Sequence, residues 1–267
     1  MSFFDALKTR AERVGSWVCI GLDPTREHMP AHMRTGSGAL SRFLLPIIAA
    51  TLDVACCYKP NLAFYLAEGA EGMQALEDVR EAIPTDIPVI LDAKAGDIGS
   101  TAAAYARAAF DTWGFDAITV NPFVGDEAVL PFAKYAEKGV YVLARTSNPN
   151  SSRFQSHHEL WRKVIEAAQG WNDNGNIGLV VGATNPTDLR LMRRLAPDLP
   201  FLIPGIGAQG GDLAAAVQSG ATSSGIPAAI TSSRAIIYAS SGEDFAEAAR
   251  QATIRLRDQI HALLEGE

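Results

Sequence analysis

Short apolar runs rich in β-branched residues alternate along the chain with longer segments of helical periodicity. The runs cover 17–23 (WVCIGLD), 56–61 (CCYKPN), 88–94 (PVILDAK), 116–122 (DAITVNP), 140–147 (VYVLARTS), 177–186 (IGLVVGATNP), 200–207 (PFLIPGIG) and 226–234 (IPAAITSSR). Each is too short for a helix and apolar almost without a break, the pattern of a strand buried on both faces in a parallel sheet. Helical spacing occupies 39–54, 101–113, 158–172 and 242–264, and an amphipathic stretch precedes the first run. Eight strand–helix units predict a TIM (β/α)8 barrel with a short N-terminal helix. An open doubly wound sheet is the alternative that the same alternation supports.

Composition narrows the picture. A hydrophobic fraction of 48% and a charged fraction of 20% describe a folded globular chain with a sizeable core. The 267 residues could hold two domains, but no Ser/Gly-rich linker or shift in composition divides them, so 1–267 reads as one domain. A net charge of -7 leaves no surplus of Lys and Arg for a nucleic-acid backbone. Cys19, Cys56 and Cys57, an odd number in apolar surroundings, predict neither a disulfide framework nor a metal knuckle and fit a reducing cytoplasm. The most apolar stretch, 43–58, is broken by Pro46 and Asp53 and falls short of a bilayer span. The N-terminus lacks the basic and apolar regions of an export signal, so no membrane association is expected.

The C-terminal ends of barrel strands build the active face. Asp92 and Lys94, two apart on the third strand, are expected to project to one face, toward the barrel axis. A structural ion pair is one reading, but buried pairs contribute little stability because desolvation offsets the attraction. At a barrel mouth the pattern points to chemistry. Asp97 suits either a helix-entry acid or a catalytic group, and Gly96 and Gly99 permit close approach beside it. Lys59, halted by Pro60, ends the second run, and Asp23 ends the first. Two lysines and three carboxylates are therefore expected at one mouth, each tuning its neighbours.

The seventh run leads into PGIGAQGGD, where Gly205, Gly207 and Gly210 spell G-x-G-x-x-G. A dinucleotide fingerprint expects an acidic residue ~20 positions on, and none stands between Asp212 and Glu243. The loop reads instead as a phosphate site in which backbone amides and Gln209 act with Arg234 after the eighth run. The polar stretch 146–158 is either an active-site lid or an ordinary surface loop. His28, His32, His157, His158 and His261 lack metal-ligand spacing and read as solvated, so no metal site is expected.

With Asp92-Ala-Lys94-Ala-Gly-Asp97, Lys59 and the glycine loop in these places, the chain resembles the orotidine 5′-phosphate decarboxylase family. LDAKAGDIGSTA (91–102) is similar to the longer, type 2 bacterial branch of that family. The resemblance implies decarboxylation of orotidine 5′-monophosphate to UMP without metal or cofactor. It also implies a homodimer in which Asp97 and Thr101 reach into the partner's site. By the same resemblance Lys94 is the proton donor, and Lys59 and Asp92 complete a charged array. Asp23 and Thr101 hold ribose hydroxyls, Ser147 contacts the pyrimidine, and Gln209 and Arg234 grip the phosphate. Ala95 departs from the branch, which usually has a basic residue there. Lying between two inward positions, it is expected to face the helices. The rival readings are a metal-dependent sugar-phosphate decarboxylase or aldolase, a Schiff-base aldolase using Lys94 or Lys59, and a non-catalytic phosphate-ligand barrel.

Overall fold

The computed structural model describes residues 1–206 and 211–266. Eight strands form one sheet: β1 (Val18–Leu22), β2 (Cys57–Pro60), β3 (Ile90–Ala95), β4 (Ala117–Val120), β5 (Gly139–Arg145), β6 (Ile177–Val181), β7 (Phe201–Ile203) and β8 (Ala229–Ser232). Their order is β2-β1-β8-β7-β6-β5-β4-β3, with every neighbour parallel. The terminal strands of that order meet through isolated parallel bridges, Tyr58 to Val89 and Asn61 to Asp92. The sheet therefore closes into a barrel, and the doubly wound alternative falls away. The strands are shorter than the apolar runs that announced them; β6 and β7 stop well before the ends of their runs, whose last residues turn into the mouth, whereas β3 loses Pro88 and Val89 at its start and runs on to Ala95.

The helices are α1 (Phe3–Val14), α2 (Ala39–Thr51), α3 (Leu62–Leu66), α4 (Gly69–Ala82), α5 (Gly99–Arg107), α6 (Leu130–Ala133), α7 (Ser152–Gln155), α8 (Leu160–Gly170), α9 (Pro186–Leu195), α10 (Leu213–Gln218), α11 (Arg234–Ile237) and α12 (Phe245–Glu265). The helix expected over 101–113 is α5 continued by a π-helical stretch, Ala108–Thr112. The one expected from 158 begins at Leu160, because His158 and Glu159 take left-handed φ values of 45° and 52°. Among the described residues, no helix is long and apolar enough to cross a membrane.

Strand alternation sorts the core into two shells. Val18, Ile20, Leu22, Leu91 and Ala95 face the helices, so Ala95 lies where its position in the strand put it. Cys19, Ile90, Tyr141 and Leu202 point inward and meet Phe3, Phe4, Leu7 and Ala11 of α1. The N-terminal helix is thus a plug for the bottom of the barrel. Ser2 caps its start by accepting the Asp5 amide at 3.2 Å, and Gly15, at φ 57°, ends it. Its buried Arg10 donates to the carbonyls of Leu52 and Ala55, tying the plug to the end of α2. Phe3 and Phe4 meet the Tyr141 ring edge-on at 5.9 and 5.5 Å.

Gly139 makes this seat possible, since a Cβ there would come within 2.3 Å of the Phe3 ring. Gly139→Ala should therefore destabilise the fold by about 1–3 kcal/mol through overpacking. Urea unfolding would check this, with an unchanged midpoint counting against α1 as a tightly fitted plug.

Candidate active site

The mouth is built on an irregular strand. Between Leu91 and Ala95, β3 advances four residues while β4 advances two, from Ile118 to Val120. Lys94 sits in this bulge with φ 46°, a left-handed conformation that L-residues avoid. Its amide leaves the ladder and donates to Thr119 Oγ1 at 2.9 Å. Simple alternation anticipated that Asp92 and Lys94 would meet; they do so through a strained bulge of the kind that re-aims side chains beside active sites.

Asp92 is the hub. Its Oδ2 accepts from Lys59 Nζ at 3.0 Å and Asn61 Nδ2 at 3.3 Å, and its Oδ1 accepts from Lys94 Nζ at 2.6 Å and Thr119 Oγ1 at 2.8 Å. Four donors occupy the four lone-pair sites of one carboxylate. Burial alone would push Asp92 up, but Lys59 and Lys94 pull it well below the usual carboxylate range. Burial would likewise push the Lys59 ammonium down, and the charges of Asp92 and Asp23 more than reverse this, leaving it above the ordinary lysine range. The Lys59 side chain is 5% exposed, whereas that of Lys94 is 45% exposed. One lysine is sealed in as part of the frame, and the other presents its ammonium at the opening.

Above the array lies a cavity of about 630 Å³ whose lining includes Asp23, Lys59, Asp92, Lys94, Ser147 and Arg234. Asp23 Oδ1 accepts the Asn61 amide at 3.2 Å, tying the end of β1 to that of β2. Arg234 opens α11, is exposed, and has no carboxylate partner among the described residues. Gly205, with φ 95°, begins the glycine loop, and its carbonyl accepts the Gly211 amide at 3.1 Å. Gln209 lies outside the described residues. Thr231 Oγ1 and Ser233 Oγ, in the same lining, are buried and have no hydrogen-bond partner among the described residues.

Asp97 and Thr101 do not line this cavity. Asp97 turns back to accept the Ile98 amide at 2.7 Å, and Thr101 is exposed on α5. The five charges anticipated at one mouth are therefore four within a single chain. Of the polar stretch 146–158, Thr146, Ser147 and Asn148 line the cavity and the rest lies outside its lining. His28 is exposed but sits on the cavity rim, with its ring 5.5 Å from that of Tyr238, while His261 is partly buried rather than solvated. His32, His157 and His158 are exposed. Among the described residues, no three His, Cys, Asp or Glu side chains gather as a metal-binding group.

Sequence reasoning missed Asn61 and Thr119, although each left a signal. Asn61 follows Lys59 by two and so shares its face, and Thr119 is a lone hydroxyl inside the apolar run of β4.

A (β/α)8 barrel with two lysines clustered on a buried carboxylate, under a cavity whose rim carries Arg234, suits a class of barrel enzymes that stabilise negative charge developing on a small substrate. Residues 16–252 match the family model described as "Orotidine 5'-phosphate decarboxylase / HUMPS family", and the chain belongs to that family. It is 50% identical over 270 residues to the orotidine 5′-phosphate decarboxylase of Thermomicrobium roseum, covering 98% of this chain and 96% of that one. Among solved structures, it is similar to Leishmania donovani OMP decarboxylase, with a TM-score of 0.86, 40% identity and all of both chains covered. It is also similar to L. donovani UMP synthase, with a TM-score of 0.88 and 42% identity, where the whole of this chain spans 57% of the longer one.

The array makes a prediction about charge. The depressed pKa of Asp92 gives stability that is present above the ordinary carboxylate value, about 4, and is lost as pH falls through its folded value. The raised pKa of Lys59 gives stability that is present below about 10.4 and is lost as pH rises through its folded value. Asp92→Asn should remove the first contribution and most of the second, costing about 3–5 kcal/mol by leaving the buried Lys59 ammonium without its ion-pair partner and with the charge of Asp23 alone to offset it. It should also drop the Lys59 pKa below the ordinary lysine value. Lysine side-chain NMR on the variant would measure this, and an unmoved Lys59 would mean that Asp92 does not hold its charge.

Proposed function

We propose that this chain decarboxylates orotidine 5′-monophosphate to UMP, with Lys94 as the acid and two active sites shared across a homodimer. The observation that carries the reading is the Lys59–Asp92–Lys94 array, whose only half-exposed member opens into the cavity of a chain from this family.

Breaking the bond from C6 to the carboxylate leaves an electron pair on C6, where no adjacent carbonyl takes it up as a simple enolate. The Lys94 ammonium supplies positive charge at that point and then transfers its proton to C6 as CO2 departs. Lys59 and Asp92 keep that ammonium fixed, so little reorganisation accompanies the reaction. The substrate carboxylate also sits near Asp92, and two unit charges about 4 Å apart repel by about 4 kcal/mol at an effective dielectric of 20, a repulsion relieved as CO2 leaves. Asp23 and Thr101 are assigned to the ribose hydroxyls, Ser147 to the pyrimidine, and Arg234 with Gln209 to the phosphate. Contacts so far from the reacting bond supply binding energy that draws the mouth closed.

The dimer is supported by what the single chain leaves open. Asp97 and Thr101 stand away from the cavity of their own chain, on a segment that also exposes Ile98 and Tyr105, and just past β4, the neighbour of β3, Phe123 and Val124 are exposed as well, Phe123 to 81%. A patch of this kind suits an interface. The enzyme is assigned to the cytoplasm, where its three free, buried thiols stay reduced.

Lys94→Ala protein should fold and bind UMP yet lose about 10³-fold or more in turnover. Loss of orotidine 5′-monophosphate, followed by absorbance with EDTA present, checks this. Full activity in the variant would remove Lys94 from its role, and activity in the unaltered enzyme that needs added magnesium would favour the metal-dependent rival.

Mixing Asp97→Ala with Arg234→Ala protein should recover activity by assembling one intact site per hybrid dimer. Failure to recover it, once subunit exchange has been demonstrated, would place Asp97 outside the partner's site.

A further inference from the structure

The turn that brings Ser147 to the cavity is held from behind by two residues, Arg145 and Gly182, neither of which lines the cavity. Between Leu143 and Arg145, β5 gains one residue on β6, which advances only from Val180 to Val181. This bulge sets the direction of the Arg145 side chain, 13% exposed at the strand end. Its Nη1 donates to Ser151 Oγ, to Gln155 Oε1 at 3.4 Å and to the Thr146 carbonyl at 3.4 Å. Its Nε is buried, has no hydrogen bond among the described residues, and lies 3.5 Å from Asp188 Oδ2 in the first turn of α9. One planar guanidinium therefore gathers the residues that follow β5 and those that follow β6.

Gln155 completes the clamp. Its Oε1 accepts the Thr146 amide at 2.9 Å, and its Nε2 donates to Thr146 Oγ1 at 2.9 Å. Thr146, immediately before Ser147, is thus fixed at both backbone and side chain. On the other side, the Gly182 amide donates to the Arg145 carbonyl at 2.7 Å. A Cβ on Gly182 would come within 2.7 Å of both Ser147 N and Cα, which are backbone atoms with no flexible end to yield. The φ of Gly182 is not left-handed, so it is space, and not backbone conformation, that demands glycine there.

We infer that Arg145 and Gly182 are positioning residues for the pyrimidine end of the site: they fix the Thr146–Asn148 turn so that Ser147 meets the base already ordered. The inference rests on the assignment of Ser147 to the pyrimidine made above. Holding the turn in place before the ligand arrives cuts the ordering cost of binding and keeps the reacting bond in register with Lys94.

The test compares Arg145→Met, Arg145→Lys and Gly182→Ala with the unaltered enzyme, using UMP and ribose 5-phosphate as competing ligands and orotidine 5′-monophosphate as substrate. Ribose 5-phosphate keeps the phosphate and sugar but has no base. Arg145→Met and Gly182→Ala should each weaken UMP by about tenfold, a loss equal to about one good hydrogen bond, while ribose 5-phosphate stays within about twofold. In the same variants kcat/KM should fall by about 10- to 100-fold. Arg145→Lys should recover only part of the loss, because an ammonium cannot reproduce the fork.

Equal weakening of UMP and ribose 5-phosphate would point to general damage and overturn the inference, as would UMP affinity and kcat/KM both within about twofold of the unaltered enzyme. Should Arg145→Met not fold, Gly182→Ala carries the same comparison. If the unaltered enzyme binds UMP but does not release CO2 from orotidine 5′-monophosphate, the proposed reaction fails, and the contrast between the two ligands still decides the role of the turn.

Discussion

One carboxylate organises the mouth of this barrel. Asp92 accepts from Lys59, Asn61, Lys94 and Thr119, which come from β2, the residue just past it, β3 and β4. Two of these contacts cross the junction of β2 and β3, where the sheet order ends and only isolated bridges complete the ring. The charges that prepare the site also fasten the barrel at its least regular seam. A buried ion pair contributes little stability by itself, and this one is surrounded by enough donors that no lone pair of the carboxylate is left without a partner.

Within the sheet, irregularity falls at the end that carries the charged array. The bulges in β3 and β5 and the left-handed φ of Lys94 all fall at the C-terminal ends of strands, while the opposite end is apolar, glycine-fitted and regular. Strain of this kind persists only where the surroundings over-determine it. At Lys94 the amide is held by Thr119 and the ammonium by Asp92, so backbone and side chain are fixed from two different strands. The β5 turn follows the same rule, with Arg145 and Gly182 acting on it from two sides.

The barrel was legible in the sequence because strands buried on both faces produce unbroken apolar runs, and eight of these in series leave few arrangements open. Lys59, Asp92 and Lys94 were legible for the converse reason, as charges at the ends of such runs require compensation. The conformation of Lys94 was not legible, because a bulge depends on register with a neighbouring strand and leaves no local signature in Asp-Ala-Lys. Alternation brought Asp92 and Lys94 together by an argument that the real backbone does not follow. Asn61 and Thr119 carried the signals of shared face and misplaced polarity, but each resembles an ordinary turn or strand residue until the carboxylate it serves is located. The start of α8 moved to Leu160 because two consecutive left-handed residues, His158 and Glu159, interrupt a stretch whose composition suits a helix. Asp97 and Thr101 show a different limit, since nothing in the pattern around them says that both stand outside the cavity of their own chain.

The helix α1 has a consequence beyond packing. With Phe3, Phe4 and Leu7 filling the lower bore against Tyr141, the barrel is a vessel with a floor, and among the described residues its cavity opens at the mouth. Everything that enters has to leave by the same route, so gas and nucleotide exit past the elements that admitted the substrate. Traffic through that opening is sequential, with substrate, gas and nucleotide each taking its turn.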